Sequence, residues 1–427
     1  MKSVVVLGGA RTPNAKFGTL LRDVPAYDLA RVALQEALFR SELRPERLDE
    51  VIFGCVGNPV EAANVARVAA LLAGVPETVP AFTVARNCAS GMQSVMDAWY
   101  RVAAGDAAFL AAGGVESMSR APLLFKWTAQ RKFTRLGAAR SAGQRLARML
   151  AFRPSDFAPE VALVKGLTDY NAGLNMGETA ELLAREFKIT REEQDRLALQ
   201  SHQRADAARR SGRLAKEIVP VPLPPKYTQW AREDNGIREG QSLEALAKLK
   251  PVFERRHGTV TAGNASQVTD GACCLVLGDE EMARAEGLPV LGRLRAFAVV
   301  GLDPARMGLG PAFAIPALLK RCGISPKEVD LFEINEAFAA QVIACERALD
   351  SESWCRRHLG SGAFGAPDRT RTNVNGGGIA LGHPVGQTGN RLLLTLLYEL
   401  RERGLKTGVA SLCVGGGQGV ALLVERA

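Results

Sequence analysis

Two hydrophobic rhythms take turns along the chain. Short apolar runs at residues 3–7, 50–55, 81–84 and 107–113 predict strands, and 3.6-residue periodicity over 30–40, 62–73 and 93–103 predicts helices between them. The turn at Gly113 and Gly114 closes this block. After residue 285 the same order returns: strand 290–300, helix 314–322, strand 330–334, a helix from Glu336, a helix over 388–403, and strands 408–413 and 419–425. Strands alternating with helices predict an α/β fold, and two halves with one element order predict a duplication at the level of the fold.

Residues 123–250 break the rhythm. This stretch is rich in charge and proline and contains a helix over 190–211, opened by Thr190 with Glu193 completing a capping box. Strand-like character resumes within 259–277. The expected organisation is therefore a first half of residues 1–122 plus 251–282, an inserted domain of 123–250, and a second half of 283–427.

Composition narrows the class. A chain of 427 residues, 47% apolar and only 6% aromatic, is too large for one core and suits helices packed closely on sheets. The first ten residues read as a strand and lack a signal-peptide pattern, and no apolar run reaches the length of a membrane span. Eight cysteines without paired CxxC spacing give no zinc site or disulfide framework, so a reducing, cytoplasmic compartment and no metal are expected. The net charge of +9 is concentrated, since residues 117–155 hold nine Lys/Arg and no Asp or Glu. Elsewhere charges are mixed and no stacking aromatics accompany them, which excludes a nucleic-acid partner.

Four short clusters, three of them holding glycine, each carry one reactive side chain. Cys88, in Asn87-Cys88-Ala89-Ser90-Gly91, lies between a strand and a helix, where the helix start favours a thiolate and hence a nucleophile; a small buried residue is the plainer alternative. Asn335, in Asn335-Glu336-Ala337-Phe338-Ala339, ends a strand and suits either a helix cap or a holder of water or an oxyanion. His383, in Gly382-His383-Pro384, sits in the most glycine-dense run of a chain with four histidines, a candidate general base. Cys413 leads Cys413-Val414-Gly415-Gly416-Gly417-Gln418-Gly419 at a strand end. Neither glycine run has the strand, GxGxxG, helix and acidic-residue order of a dinucleotide site.

In this order the clusters resemble the motifs of the thiolase family over nearly the whole chain. The Cys88 block resembles its acyl-accepting cysteine motif, Asn335–Ala339 its Asn-Glu-Ala-Phe motif, Gly382–Pro384 its Gly-His-Pro motif, and Cys413–Gly419 its Cys-x-Gly-Gly-Gly motif. Ala262-Gly263-Asn264-Ala265-Ser266 is similar to the loop that contacts pantetheine, and the segment from Met176 to Glu181 to the one over the acyl pocket.

The resemblance implies a duplicated βαβαβαββ architecture with α-β-α-β-α layers and an inserted loop domain. It implies reversible thiolysis of a 3-oxoacyl-CoA by CoA, or the reverse condensation, in fatty-acid β-oxidation, with coenzyme A as substrate and no cofactor. His383 would take the proton of Cys88, the backbone N–H groups of Cys88 and Gly415 would hold the tetrahedral oxyanion, Asn335 with His383 would hold the enolate oxygen, and Cys413 would move the Cα proton. Substrate or CoA contacts are implied at Ala262, Gly263 and Ser266, and at Met176, Phe253, Met307 and Phe338. A homodimer or dimer of dimers is implied, and a hydratase/dehydrogenase subunit is left open as a partner.

Asn175 stands where many short-chain thiolases have His. Residues 346–354 and 234–238 resemble thiolase subunits of fatty-acid oxidation complexes, which typically carry His where Asn335 stands. A ketoacyl-synthase-like condensing enzyme would need that second His, and a lipid carrier on this fold would be expected to have lost a reactive residue. Within 126–153, Leu136, Ala139, Gly143, Leu146, Ala147 and Leu150 share one helical face, with Arg140, Arg145 and Arg148 set away from it. That pattern fits a helix lying on an anionic membrane; a solvated cover whose charges meet the CoA phosphates is the alternative.

Overall fold

The structure, a computed structural model, describes residues 2–427. The first half runs β1 (Val4–Arg11), α1 (Ala26–Arg40), β2 (Glu50–Gly54), α2 (Val65–Leu72), β3 (Ala81–Val84), α3 (Ser90–Ala104) and β4 (Phe109–Glu116). The insert contributes α4 (Trp127–Gly137), α5 (Ala142–Leu150), α6 (Met176–Glu186) and α7 (Arg191–Arg210) before β5 (Thr269–Asp279). The second half has β6 (Gly292–Gly301), α8 (Gly310–Cys322), β7 (Leu331–Ile334), α9 (Ala339–Asp350), α10 (Thr388–Arg403), β8 (Thr407–Val414) and β9 (Gln418–Arg426).

The nine labelled strands form one mixed sheet in the order β7-β8-β9-β6-β1-β5-β4-β2-β3, with Ala15–Lys16 adding a short tenth strand against β5. β2 is parallel to β3 and β4, and β7 to β8; the other pairs are antiparallel. A narrow seam joins the halves, Val5 opposite Arg293 and Val6 opposite Gly292.

Alternation along β1 decides the layers. Val4 and Val6 enter a central core with Met92 and Val95 of α3 and Leu392 and Leu396 of α10, while Val5 and Leu7 enter an outer core with Leu29 and Leu34 of α1. On the other outer face Ile315 and Leu318 of α8 pack on Phe332 and Val409. The result is helix, sheet, helix, sheet, helix. In the central layer α3 and α10 meet backbone to backbone: a Cβ on Gly91 would fall 2.1 Å from the Asn390 side-chain oxygen, and one on Gly389 would fall 2.4 Å from the Met92 nitrogen.

Several expectations need correction. The helix foreseen from Glu336 starts at Ala339, because the Glu336 carboxylate is engaged by Ser201 Oγ at 2.6 Å and Asn373 Nδ2 at 2.9 Å. Within 259–277 only Thr269 onward is strand. The insert holds two small ladders, Leu123–Leu124 with Glu160–Val161 and Val221–Leu223 with Gln229–Ala231, too short to register as a rhythm. The helix projected through 136–150 is two helices, broken after Gly137 and restarted where Ser141 accepts the N–H of Gln144.

The insert is tied to both halves. Leu183 and Leu197 share a core with Leu309 and Ile343. Arg11, fully buried, binds Glu217 at 2.8 Å and both oxygens of Asp234 at 2.7 and 2.8 Å. Among the described residues no helix is long and apolar enough to cross a membrane.

Candidate active site

Cys88 occupies the short loop between β3 and α3. Asn87 before it adopts φ +44°, and its side chain donates to the Gly415 carbonyl at 2.7 Å, tying this loop to the glycine turn after β8. Ser90 braces the loop, receiving the Arg86 N–H at 2.9 Å and donating to the Asn87 carbonyl at 2.7 Å. The N–H groups of Gly415 and of Cys88 itself reach the thiol and favour its ionised form, but burial outweighs them and pushes the thiol up. The shift therefore runs opposite to the lowering expected from the helix start.

His383 is buried. Its Nδ1 lies 2.7 Å from Thr388 Oγ1, which also lies 2.9 Å from the Pro384 carbonyl. With the Thr388 hydroxyl donating to Pro384 and the Asn335 amide N–H facing Nε2, the hydrogen-bond pattern fits a ring hydrogen on Nδ1. Nε2 is then the bare nitrogen, and Asn335 Nδ2 faces it at 3.5 Å. Burial, helped by the nearby Arg391 cation, holds the imidazole down to about 3, so the ring is a neutral acceptor across the working pH range.

Asn335 is held at the end of β7 by its N–H to the Ser411 carbonyl at 2.9 Å, and its buried Oδ1 takes no hydrogen bond from the protein. Cys413, near the end of β8, is buried and pushed well up by burial and by the neighbouring Cys88. It packs with Met307 and Ala337, and Met176 and Phe338 close over them. Phe338 meets Phe253 edge to face at 6.3 Å, and the Ser266 N–H binds the Ala337 carbonyl at 2.9 Å. Gly263 is buried below the exposed Ala262.

A cavity of about 650 Å³ opens at Cys88. Met176, Gly415, Val385, Leu163, Leu167 and Glu116 help to line it. Of the residues singled out from sequence, Cys88, Met176 and Gly415 face this cavity. Asn335, His383 and Cys413, and likewise Ala262, Gly263, Ser266, Phe253, Phe338 and Met307, lie outside its lining. Asn175 caps α6, accepting the Gly177 N–H at 3.1 Å.

Two contributors escaped sequence reasoning. Thr388, five residues after His383, sets the ring's tautomer. Glu116, at the end of β4, receives the N–H groups of Val56 at 3.1 Å, Gly57 at 2.7 Å and Gly386 at 3.0 Å, joining the wall of the cavity to the loop of His383. Burial pushes this carboxyl up to about 7. Its only sequence signal is a lone acid closing an apolar strand.

The N-terminal domain of thiolase matches residues 4–281, and the C-terminal domain of thiolase matches residues 288–426. The acetyl-CoA acetyltransferase of Cupriavidus necator is 40% identical, with the match covering 100% of both chains. The 3-ketoacyl-CoA thiolase of Pseudoalteromonas translucida is 38% identical, covering 99% of this chain and 97% of that protein. The solved human mitochondrial 3-ketoacyl-CoA thiolase in complex with CoA superposes with a TM-score of 0.86 at 38% identity, covering 100% of this chain and 98% of that one. With both domains matched and such relatives aligned end to end, this chain belongs to the thiolase family and is an acyl-CoA acyltransferase.

Proposed function

We propose that the chain performs thiolysis of 3-oxoacyl-CoA with Cys88 as acyl carrier, in fatty-acid β-oxidation. The observation that supports this most is the convergence on the Cys88 sulfur of N–H groups from both halves, its own and that of Gly415. In this reading Cys88 attacks the 3-oxo carbonyl while its proton passes to His383 Nε2, the nitrogen that Thr388 leaves bare. The tetrahedral oxyanion lies against the two N–H groups. Cleavage of the Cα–Cβ bond leaves an acyl thioester on Cys88 and the enolate of acetyl-CoA, whose oxygen is met by the protonated His383 and a water on Asn335 Oδ1. Cys413 gives its proton to Cα, and acetyl-CoA departs. The Cys413 thiolate then takes the thiol proton of an incoming CoA, whose sulfur removes the acyl group, and His383 returns its proton to Cys88.

Burial pushes both sulfurs toward the thiol form, so charge on either is favoured when a substrate group is present to receive the proton or the bond. Residues 1–122 and 251–282 carry Cys88, Phe253 and the loop Ala262–Ser266; residues 283–427 carry Met307, Asn335, Phe338, His383 and Cys413; and 123–250 places Met176 over the acyl pocket. Coenzyme A is substrate, with Ser266, Gly263 and Ala262 along its pantetheine arm. The eight cysteines are all free thiols, which supports a reducing, cytoplasmic setting. The edge strand β3, half-buried along its length, is available to pair with a second copy.

Incubation with acetoacetyl-CoA and free CoA tests the reading: the 3-oxoacyl absorbance should fall only when both are present. Absence of CoA-dependent loss overturns it. Rates across a ladder of acyl lengths then assign the chain-length preference.

A further inference from the structure

One carboxylate in the wall of the Cys88 cavity takes no part in the bond-making steps. Glu116 closes β4, is 3% exposed, and lines the cavity together with Val56 and Gly57 of one loop and Val385 of another. Its Oε1 accepts the Gly57 N–H at 2.7 Å, while Oε2 accepts those of Val56 at 3.1 Å and Gly386 at 3.0 Å. Oε2 therefore bridges the loop after β2 and the loop that carries His383. Three N–H donors suit an ionised carboxylate, which only accepts and makes charge-assisted bonds stronger than neutral ones.

The two loops approach too closely to leave slack. A Cβ on Gly386 would fall 2.4 Å from the Val115 carbonyl oxygen and 2.9 Å from Glu116 Oε2, and one on Gly114 would fall 2.1 Å from the Gly386 carbonyl oxygen. The His383 loop thus lies directly on the end of β4. Gly386 stands three residues after His383 and two before Thr388, the partner of Nδ1, so a shift at its N–H moves the base and the residue that orients it.

The surroundings oppose the charge that the three donors favour. Burial, with the like charge of Asp270 on β5 adding to it, pushes the Glu116 carboxyl up to about 7. Asp270 is itself pushed up by burial and accepts the Ser119 N–H at 2.8 Å. The neighbouring thiols, Cys55 after β2 and Cys88 before α3, are pushed up by burial, and His383 is held down to about 3. Nearby cations are turned elsewhere, Arg120 to Glu61 at 3.6 Å and Arg391 to Glu333 at 3.0 Å.

We propose that Glu116 is a positioning residue for thiolysis: as a carboxylate it ties the cavity wall at Val56 and Gly57 to Gly386 and so holds His383 in place, and on protonation it releases that loop. The raised carboxyl is ionised above about 7, so activity is full there and is lost as pH falls through that value. The role rests on the thiolase reading above; the titration of the carboxyl does not.

The test combines the pH profile of kcat for CoA-dependent thiolysis of acetoacetyl-CoA with infrared difference spectra over the same range, for the parent and for Glu116→Gln. In the parent, kcat should fall about tenfold from about pH 8 to about pH 6 while the C=O stretch of a protonated carboxyl grows in. In the Gln variant that stretch and the acid limb should both be absent, and kcat at about pH 8 should be lower by about tenfold to a hundredfold with KM for CoA little changed. A Gln variant that works at the parental rate, or that keeps the acid limb, overturns the role, as does a flat profile in an active parent. Should the Gln variant fail to fold, the parent decides alone, since an acid limb without a carboxyl titrating beside it overturns the role. Absence of thiolysis by the parent at every pH overturns the thiolase reading and the role together, an outcome distinct from a flat profile at full activity.

Discussion

Thr388 Oγ1 lies 2.7 Å from His383 Nδ1, and by accepting a ring hydrogen there it would leave Nε2, the nitrogen opposite Asn335 Nδ2, as the base. Thr388→Val keeps the shape and removes the acceptor, freeing the ring to adopt the other tautomer. We expect kcat to fall about tenfold to a hundredfold with KM for CoA little changed, and Thr388→Ser to restore it. Steady-state kinetics check this; a Val variant at parental rate would separate the hydroxyl from the chemistry.

Cys88 and Cys413 should fail differently. Cys88→Ala is expected to give no acyl adduct by intact mass after acetyl-CoA treatment and no turnover. Cys413→Ala should still acquire the adduct while losing condensation and thiolysis, since only the Cα proton step is removed. Normal turnover in the second variant would strip Cys413 of its role.

Burial raises the Cys88 thiol and depresses His383 to about 3, which sets the pH response. Alkylation of the free enzyme at Cys88 by iodoacetamide should climb steadily with pH beyond the ordinary thiol range, without the acid-side plateau of a thiolate–imidazolium pair. Because the histidine stays neutral down to about pH 3, kcat/KM should show no loss from its protonation between pH 7 and 5. A reactive plateau near pH 6, measured by mass spectrometry of the alkylated peptide, would contradict both.

Arg11→Met should destabilise the fold by about 3–5 kcal/mol, because Asp234 and Glu217 are left buried without their shared cation. A lower urea midpoint at an unchanged m-value is the expected signature. An unchanged midpoint would mean that Arg213, 3.4 Å from Glu217, absorbs the loss.

Legibility followed locality. Strands and helices whose apolar period is unbroken, such as Ala81–Val84 and Thr388–Arg403, are placed in the structure where their patterns ended. The cap at Thr190 was readable because its partner Glu193 is three residues away. What could not be read depends on distant partners. The late start of α9 follows from Ser201 and Asn373 holding Glu336. At the site, neighbouring glycines flagged Cys88, His383 and Cys413 and a strand end flagged Asn335, while Glu116 was silent because its three N–H donors come from residues 56, 57 and 386. The break between α4 and α5 escaped because Ser141 caps a helix inside a pattern that an unbroken helix would satisfy equally well.

The bare contact between α3 and α10 has a consequence for how this protein tolerates change. Gly91 lies three residues after Cys88 and Gly389 six after His383, so the spacing of the two segments is gauged by a close approach of the helices at which neither glycine has room for a Cβ. A methyl at either glycine touches no substrate and removes no reactive group, yet it must wedge the helices apart. The most fragile coordinates of this site are thus set where atoms are missing, and substitutions there should yield folded, silent proteins while many bulkier changes around the cavity rim pass unnoticed.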